Sequence, residues 1–285
     1  MAIRRKNGPK LGGVRKKRYT GLVDTRGTLT NLGARRKGKL FGSWYGRRLG
    51  CAPMSGRKPL PPPFLAYTAP FVVFLLFLAL EQGISSLGAE SGQWWLATPK
   101  YWVFPLQTLV CGGLLLYYWR HYQFGPLASG WVGILGGLVI LGIWIAPQAV
   151  LGFPPRIAGG FDPYSLGTEG ATPALMIAAR FARLVIVVPL VEEIFWRGFL
   201  MRYLIKEDFQ KVPFGAYSHL SFFGVAGLFM LVHSQADWPA AFLSGIIFNA
   251  IAVKTKSLFA CVIAHAVANL GLGMYIMTTR QWGFW

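Results

Sequence analysis

Two adjacent carboxylates and an arginine stand inside an apolar stretch of the chain. Residues 187–204 (VVPLVEEIFWRGFLMRYL) are long enough to cross a bilayer, yet they contain Glu192, Glu193 and Arg197. A charge near the middle of a membrane helix costs roughly 2.5–3.5 kcal/mol on insertion scales, so such residues usually face a bundle interior or a wet cavity. This stretch is therefore predicted to contribute to a functional site.

The spacing gives the two carboxylates different roles. Glu193 precedes Arg197 by four residues, so a helix places them on one face in the favourable order, and they are predicted to neutralise each other. Glu192 is rotated by about 100° and has no local partner. An isolated carboxyl group in apolar surroundings favours its neutral form, which suits a group that takes up and returns a proton. A structural ion pair with a spare glutamate is the plainer alternative.

Two of the four histidines also lie in apolar segments. His233 ends the sequence FMLVH, and His265 begins the sequence HAVAN, in which His265 and Asn269 share one helical face. His121 and His219 lie in connecting segments and are predicted to have no role. Because the polar residues stand on three separate hydrophobic segments, we expect them to converge on one site.

Two chemistries remain open for these residues. In the first, Glu192 and His233 activate a water, while His265 and Asn269 stabilise the oxyanion that forms at a carbonyl. In the second, Glu192, His233 and His265 hold a divalent metal such as zinc, which activates the water. Both hydrolyse an acyl bond within the membrane. The zincin sequence H-E-x-x-H is absent, so no motif implies the metal, and the cofactor stays open.

The composition predicts the scaffold that positions these groups. The chain has 285 residues, of which 54% are hydrophobic and 14% charged, and its mean hydropathy is +0.44. These values are typical of an all-α, polytopic membrane helix bundle, here with about seven to eight transmembrane helices. Glycines at 133, 136 and 137 would permit close packing of one helix. The predicted spans are about 64–80, 101–119, 131–150, 173–205, 221–233, 240–253 and 258–277.

The N-terminal segment differs sharply from the rest. Residues 1–58 hold 17 of the 29 Lys and Arg residues but only one of the 10 acidic residues. Residues 1–62 are predicted to be a disordered cytoplasmic tail that orients the first helix or touches anionic lipid. A nucleic-acid partner is not expected, because few aromatic residues are interleaved. Met54 could also begin the working protein, which would leave residues 1–53 outside it.

The remaining chain is predicted to comprise accessory transmembrane helices (63–172) and a catalytic helical core (173–285). Seven spans with the N-terminus in the cytoplasm put the basic connectors on the cytoplasmic side, as the positive-inside rule expects. The basic residues concerned are Arg120, Arg202, Lys206, Lys211, Lys254 and Lys256.

Three motifs in order resemble one family of membrane proteases. E-E-x-x-x-R is present as residues 192–197, F-x-x-x-H as 229–233 and H-x-x-x-N as 265–269. On these residues, within about 175–275, the chain resembles the CPBP family of CAAX prenyl endopeptidases and bacteriocin-processing proteases. The resemblance implies an all-helical intramembrane endopeptidase. It implies that Glu192 with His233 activates water and that His265 with Asn269 stabilises the oxyanion. Glu193 and Arg197 would support them.

The sequences 161–166 (FDPYSL), 212–222 (VPFGAYSHLSF) and the ending QWGFW resemble a narrower bacterial branch. That branch, called CAAX prenyl protease-related, accompanies exosortase and exopolysaccharide systems. The resemblance implies an inner-membrane location, a membrane-associated peptide or protein substrate, and components of those systems as partners. Two other functions remain open. One is a non-catalytic scaffold or immunity-type protein of the same fold, and the other is a proton-coupled transporter.

Overall fold

The computed structural model describes residues 63–88 and 90–285, and this part of the chain is helical without any β-strand. The all-α prediction is confirmed, while the predicted tail, residues 1–62, lies outside the described residues. The predicted domain boundaries stay predictions. The long helices of this part are α1 (Pro63–Gly88), α2 (Lys100–Tyr117), α3 (Gly130–Ala149), α4 (Thr172–Tyr203), α5 (His219–Leu231), α6 (Trp238–Thr255) and α7 (Leu258–Thr279).

Five of the helices in the described ranges, α1, α3, α4, α6 and α7, are long and apolar enough to cross a membrane. The helix α5 is also apolar but has only 13 residues. The predicted count of seven to eight spans therefore holds approximately, and the protein is a multi-pass membrane protein. The observed ends lie within about two residues of the predicted ones, except that α1 continues eight residues past its predicted end at Leu80.

Contacts between connectors define the two ends of the bundle. At one end, Phe259 N donates to Phe124 O at 2.8 Å, and Lys256 Nζ donates to Gly215 O at 2.6 Å. The α2–α3, α4–α5 and α6–α7 connectors therefore meet there. At the other end, Arg156 joins the α3–α4 connector to Asp237 at 2.6 Å. From α2 to α7 the connectors thus alternate between the two ends of the bundle, and the predicted orientation in the membrane stays a prediction.

Glycines bring α3 and α7 into close contact, as predicted. A Cβ on Gly133 would lie 2.4 Å from Ala260 O, and one on Gly137 would lie 2.5 Å from Ala264 O. Backbones can approach this closely only where a small residue leaves room. Since Ala264 immediately precedes His265, this packing fixes the height and rotation of the helix that carries the histidine.

Candidate active site

The helix α4 carries the glutamate pair between two widened turns. Residues Ala182–Val187 and Ile194–Leu200 are π-helical, and Val188–Glu193 between them is α-helical. In a π-helix, the carbonyl of Leu184 would accept a hydrogen bond from the N–H five residues later, at position 189. Pro189 has no N–H, so this hydrogen bond is missing. The carbonyl of Leu184 instead accepts a hydrogen bond from Asn269 Nδ2 at 2.8 Å. This irregular turn therefore ties α4 to α7 beside the site.

The predicted pair of Glu193 and Arg197 is present and fully enclosed. Arg197 Nη1 lies 3.1 Å from Glu193 Oε1, and both side chains are 0% exposed. Arg197 Nε also donates to Asn249 Oδ1 at 3.0 Å, and Asn249 Nδ2 donates to Phe222 O at 2.6 Å. A buried charge is tolerated when it is paired and hydrogen-bonded. The pair thus anchors α4 to α6 and, through Phe222, to α5.

The same carboxylate also holds His265. The ring atom Nδ1 of His265 lies 2.9 Å from Glu193 Oε1. An ionised carboxylate only accepts hydrogen bonds, so Nδ1 carries the proton and Nε2 is left for other contacts. The motif predicted a pair of Glu193 with Arg197, whereas the fold makes a triad in which Glu193 bridges Arg197 and His265.

The orientation of His233, which lies two residues beyond the end of α5, is set by a carbonyl of that helix. Its Nδ1 lies 2.7 Å from Phe229 O, and since a carbonyl only accepts, Nδ1 is the donor. Trp144 of α3 packs beside the imidazole, with the ring centroids 5.8 Å apart. Both site histidines are therefore held at Nδ1 with Nε2 available.

The side chain of Glu192 is 9% exposed, and no hydrogen bond from a described residue orients its carboxylate. Its Oε2 is enclosed and has no hydrogen-bond partner among the described residues. A buried polar atom without a partner is uncommon and often marks a site that a ligand or water completes. The sequence predicted this isolation, because the residue next to a Glu–Arg pair faces another direction.

Four of the six predicted site residues line one cavity of about 270 Å³. They are Glu192, His233, His265 and Asn269, while Glu193 and Arg197 lie behind its wall with no exposed surface. The fold thus brings these four residues to one cavity, and their roles stay predictions. The two histidines predicted to have no role do not line this cavity, and His219 is exposed at the beginning of α5.

A comparison with known protein families agrees with the three motifs found in the sequence. Residues 174–271 match the model of the family described as Type II CAAX prenyl endopeptidase Rce1-like. The core from α4 to α7 is similar to that family. No curated protein and no solved structure matches the chain. The resemblance stated from the motifs is confirmed at the family level, and the narrower exosortase-associated branch stays a prediction.

The three residues named as possible metal ligands do not form a coordination group. Among residues 63–88 and 90–285, no three His, Cys, Asp or Glu side chains come together as they would to hold a metal ion. Glu192, His233 and His265 border one cavity without meeting this condition. The metal-dependent and the metal-independent chemistry both stay predictions.

Several residues around the cavity were not identified from sequence. Trp144 and Ser244 line the cavity and are joined by a 3.0 Å hydrogen bond, and Phe284 and Trp285 line it from the C-terminal tail (residues 280–285). The tail and α3 lie outside the family match. A polar residue in an apolar span was the available signal for Ser244, but no signal in the sequence placed the tail at the cavity.

Proposed function

We propose that this protein is an intramembrane endopeptidase that hydrolyses a peptide bond of a membrane-associated protein or peptide. One observation carries the proposal: Glu192 of α4, His233 just beyond the end of α5, and His265 and Asn269 of α7 line a single cavity of about 270 Å³. The similarity of residues 174–271 to the Rce1-like type II CAAX prenyl endopeptidases supports a peptide hydrolase.

Glu192 takes a proton from a water that His233 Nε2 helps to orient, and the water oxygen bonds to the carbonyl carbon of the substrate. A lone carboxylate and a neutral imidazole are suited to this general-base step. When the carbon–nitrogen bond breaks, the proton held by Glu192 passes to the leaving nitrogen. The products are a free carboxylic acid and a free amine, which balances the hydrolysis.

His265 and Asn269 stabilise the oxyanion that forms in this step. Since the Nδ1 proton of His265 points to Glu193, Nε2 can donate to the oxyanion only when the ring is doubly protonated. Asn269 has a second amide hydrogen besides the one that Leu184 O accepts. Preorganised donors of this kind contribute strongly to acyl-transfer catalysis.

The protein is further proposed to lie in a bacterial cytoplasmic membrane with its N-terminus in the cytoplasm. The connectors that meet at one end of the bundle carry most of its interfacial lysines and arginines, and the positive-inside rule puts that end in the cytoplasm. The other end carries Glu90, Asp162, Glu169 and Asp237.

The test compares the protein termini in membranes that contain the wild type or Glu192→Gln at equal levels. Termini that appear only with the wild type establish proteolysis and identify the substrate. His219→Ala is the matched control, because that histidine is exposed and remote from the cavity, and it should give the wild-type termini. Identical termini in all samples would refute the protease and favour the scaffold of the same fold.

A further inference from the structure

A second arginine of α4 contrasts with Arg197. Arg183 lines the cavity and is 6% exposed, but none of the described Asp and Glu residues forms a salt bridge with it. A buried guanidinium without a carboxylate partner is costly, since its desolvation is not offset. Arg197 on the same helix has both a carboxylate and an amide partner.

The guanidinium of Arg183 is nevertheless held firmly. Its Nε donates to Gln107 Oε1 at 2.7 Å, and Gln107 is itself fixed because its Nε2 donates to Phe74 O at 2.8 Å. The guanidinium carbon also lies 4.4 Å from the centre of the Phe104 ring and 5.2 Å from that of Phe74. These contacts occupy one edge and the flat face of the group.

The other edge remains available. Among the described residues, Nη1 and Nη2 of Arg183 donate no hydrogen bond, and neither atom is among the fully enclosed polar atoms that lack a partner. These two nitrogens form a planar fork that matches a carboxylate with two parallel hydrogen bonds. A rigid, half-satisfied guanidinium in the wall of a cavity is thus a preformed site for an anionic group.

We infer that Arg183 binds a carboxylate of the substrate and thereby determines specificity at the proposed active site. The inference rests on the proposed peptidase function and adds the chemistry that the substrate must present. Arg183 and Glu192 both lie on α4 and line the same cavity of about 270 Å³. The carboxylate is therefore bound in the cavity that holds the cleaved bond, within a few residues of that bond.

Two sources could supply this carboxylate, the peptide C-terminus or an acidic side chain near it. Three fluorescent peptides separate them, each with an S-farnesylated cysteine followed by three residues. One ends in a free carboxylate, one in an amide, and one in a glutamic acid whose C-terminus is amidated. Binding is measured on the full chain in lipid nanodiscs with Glu192→Gln, so that no peptide is consumed.

The free acid is expected to bind at least about tenfold more tightly than the plain amide, as a charge-assisted bidentate contact in a buried site would give. Arg183→Gln should bring the ratio of the two affinities close to one, because only the free-acid peptide should bind more weakly. Arg183→Lys, which keeps the charge and the aliphatic stem, should retain part of the preference. Lys254→Gln, at an exposed position, should leave the ratio unchanged. Tight binding of the glutamate-ended amide would identify a side-chain carboxylate as the ligand.

If the free-acid and amide peptides bind equally to the protein that retains Arg183, the inference is overturned. An equal loss of both peptides in Arg183→Gln would also overturn it, because Arg183 would then act on the fold or on Glu192. Since binding is read in a cleavage-inactive protein, this result is independent of the test of proteolysis. In the wild type, the inference further requires Arg183→Gln to raise KM for the acid and leave kcat unchanged.

Discussion

His265 Nδ1 lies 2.9 Å from Glu193 Oε1, across the interface between α7 and α4. The second glutamate of the pair therefore orients the imidazole, and the first, Glu192, is left without a hydrogen bond beside the cavity. This division assigns the two adjacent carboxylates separate tasks. One is fixed by a cation and a histidine, and the other is the proposed general base.

Removing the fixed carboxylate should damage both stability and activity. Glu193→Gln leaves Arg197 buried without its charge partner, which costs roughly 3–5 kcal/mol when a buried pair is broken. The thermal unfolding midpoint in detergent should fall accordingly, and cleavage should be lost because His265 is no longer oriented.

The double variant Glu193→Met with Arg197→Met separates the two effects. Replacing both partners with apolar residues of similar size can be neutral for stability. We expect the midpoint to recover much of its loss while cleavage stays absent. Recovery of cleavage in the double variant would show that Glu193 has only a structural role.

The two cavity histidines should both be necessary. His233→Ala is expected to reduce kcat by about 10²–10⁴-fold, the usual contribution of an acid–base group. His265→Ala is expected to reduce it by about 10²–10³-fold, the usual cost of losing one oxyanion donor. The released peptide is measured at substrate saturation. His219→Ala should retain full kcat, and loss of activity in that variant as well would contradict the site assignment.

The packing of α3 on α7 should control the position of His265. Gly137→Ala places a Cβ 2.5 Å from Ala264 O and 2.8 Å from Val267 Cβ, so α7 must shift. Cleavage and the unfolding midpoint should both decrease. Gly142→Ala on the same helix is the matched control, because a Cβ there meets nothing within 4 Å. Equal effects of the two substitutions would show that the close contact does not position the site.

Chelation should leave the activity intact. Glu192, His233 and His265 do not form a three-ligand group within residues 63–88 and 90–285, so the glutamate–histidine mechanism is the one expected. Cleavage is compared before and after treatment with a membrane-permeant chelator, with zinc added back in a third sample. Loss of activity with the chelator and its recovery with zinc would instead establish the metal-dependent mechanism.

Much of the helical scaffold could be predicted because its signals are local. Uninterrupted apolar runs predicted the helices from α1 to α7, and the i,i+4 spacing predicted the pair of Glu193 with Arg197. The isolation of Glu192 follows from the same spacing. Contacts between helices are different, since they depend on the rotation of each helix and on the angle at which two helices cross.

The sequence by itself therefore determined an all-helical membrane protein, the residues able to do acid–base chemistry, and the family that they resemble. Only the tertiary structure decided that His265 pairs with Glu193, that Gln107 fixes Arg183, and that Phe284 and Trp285 line the cavity. The physical reason is the range of the interactions. Helix formation and i,i+4 pairing act within a few residues, whereas these two hydrogen-bonded pairs are 72 and 76 residues apart and form only when the bundle packs. The tail reaches the cavity for the same reason.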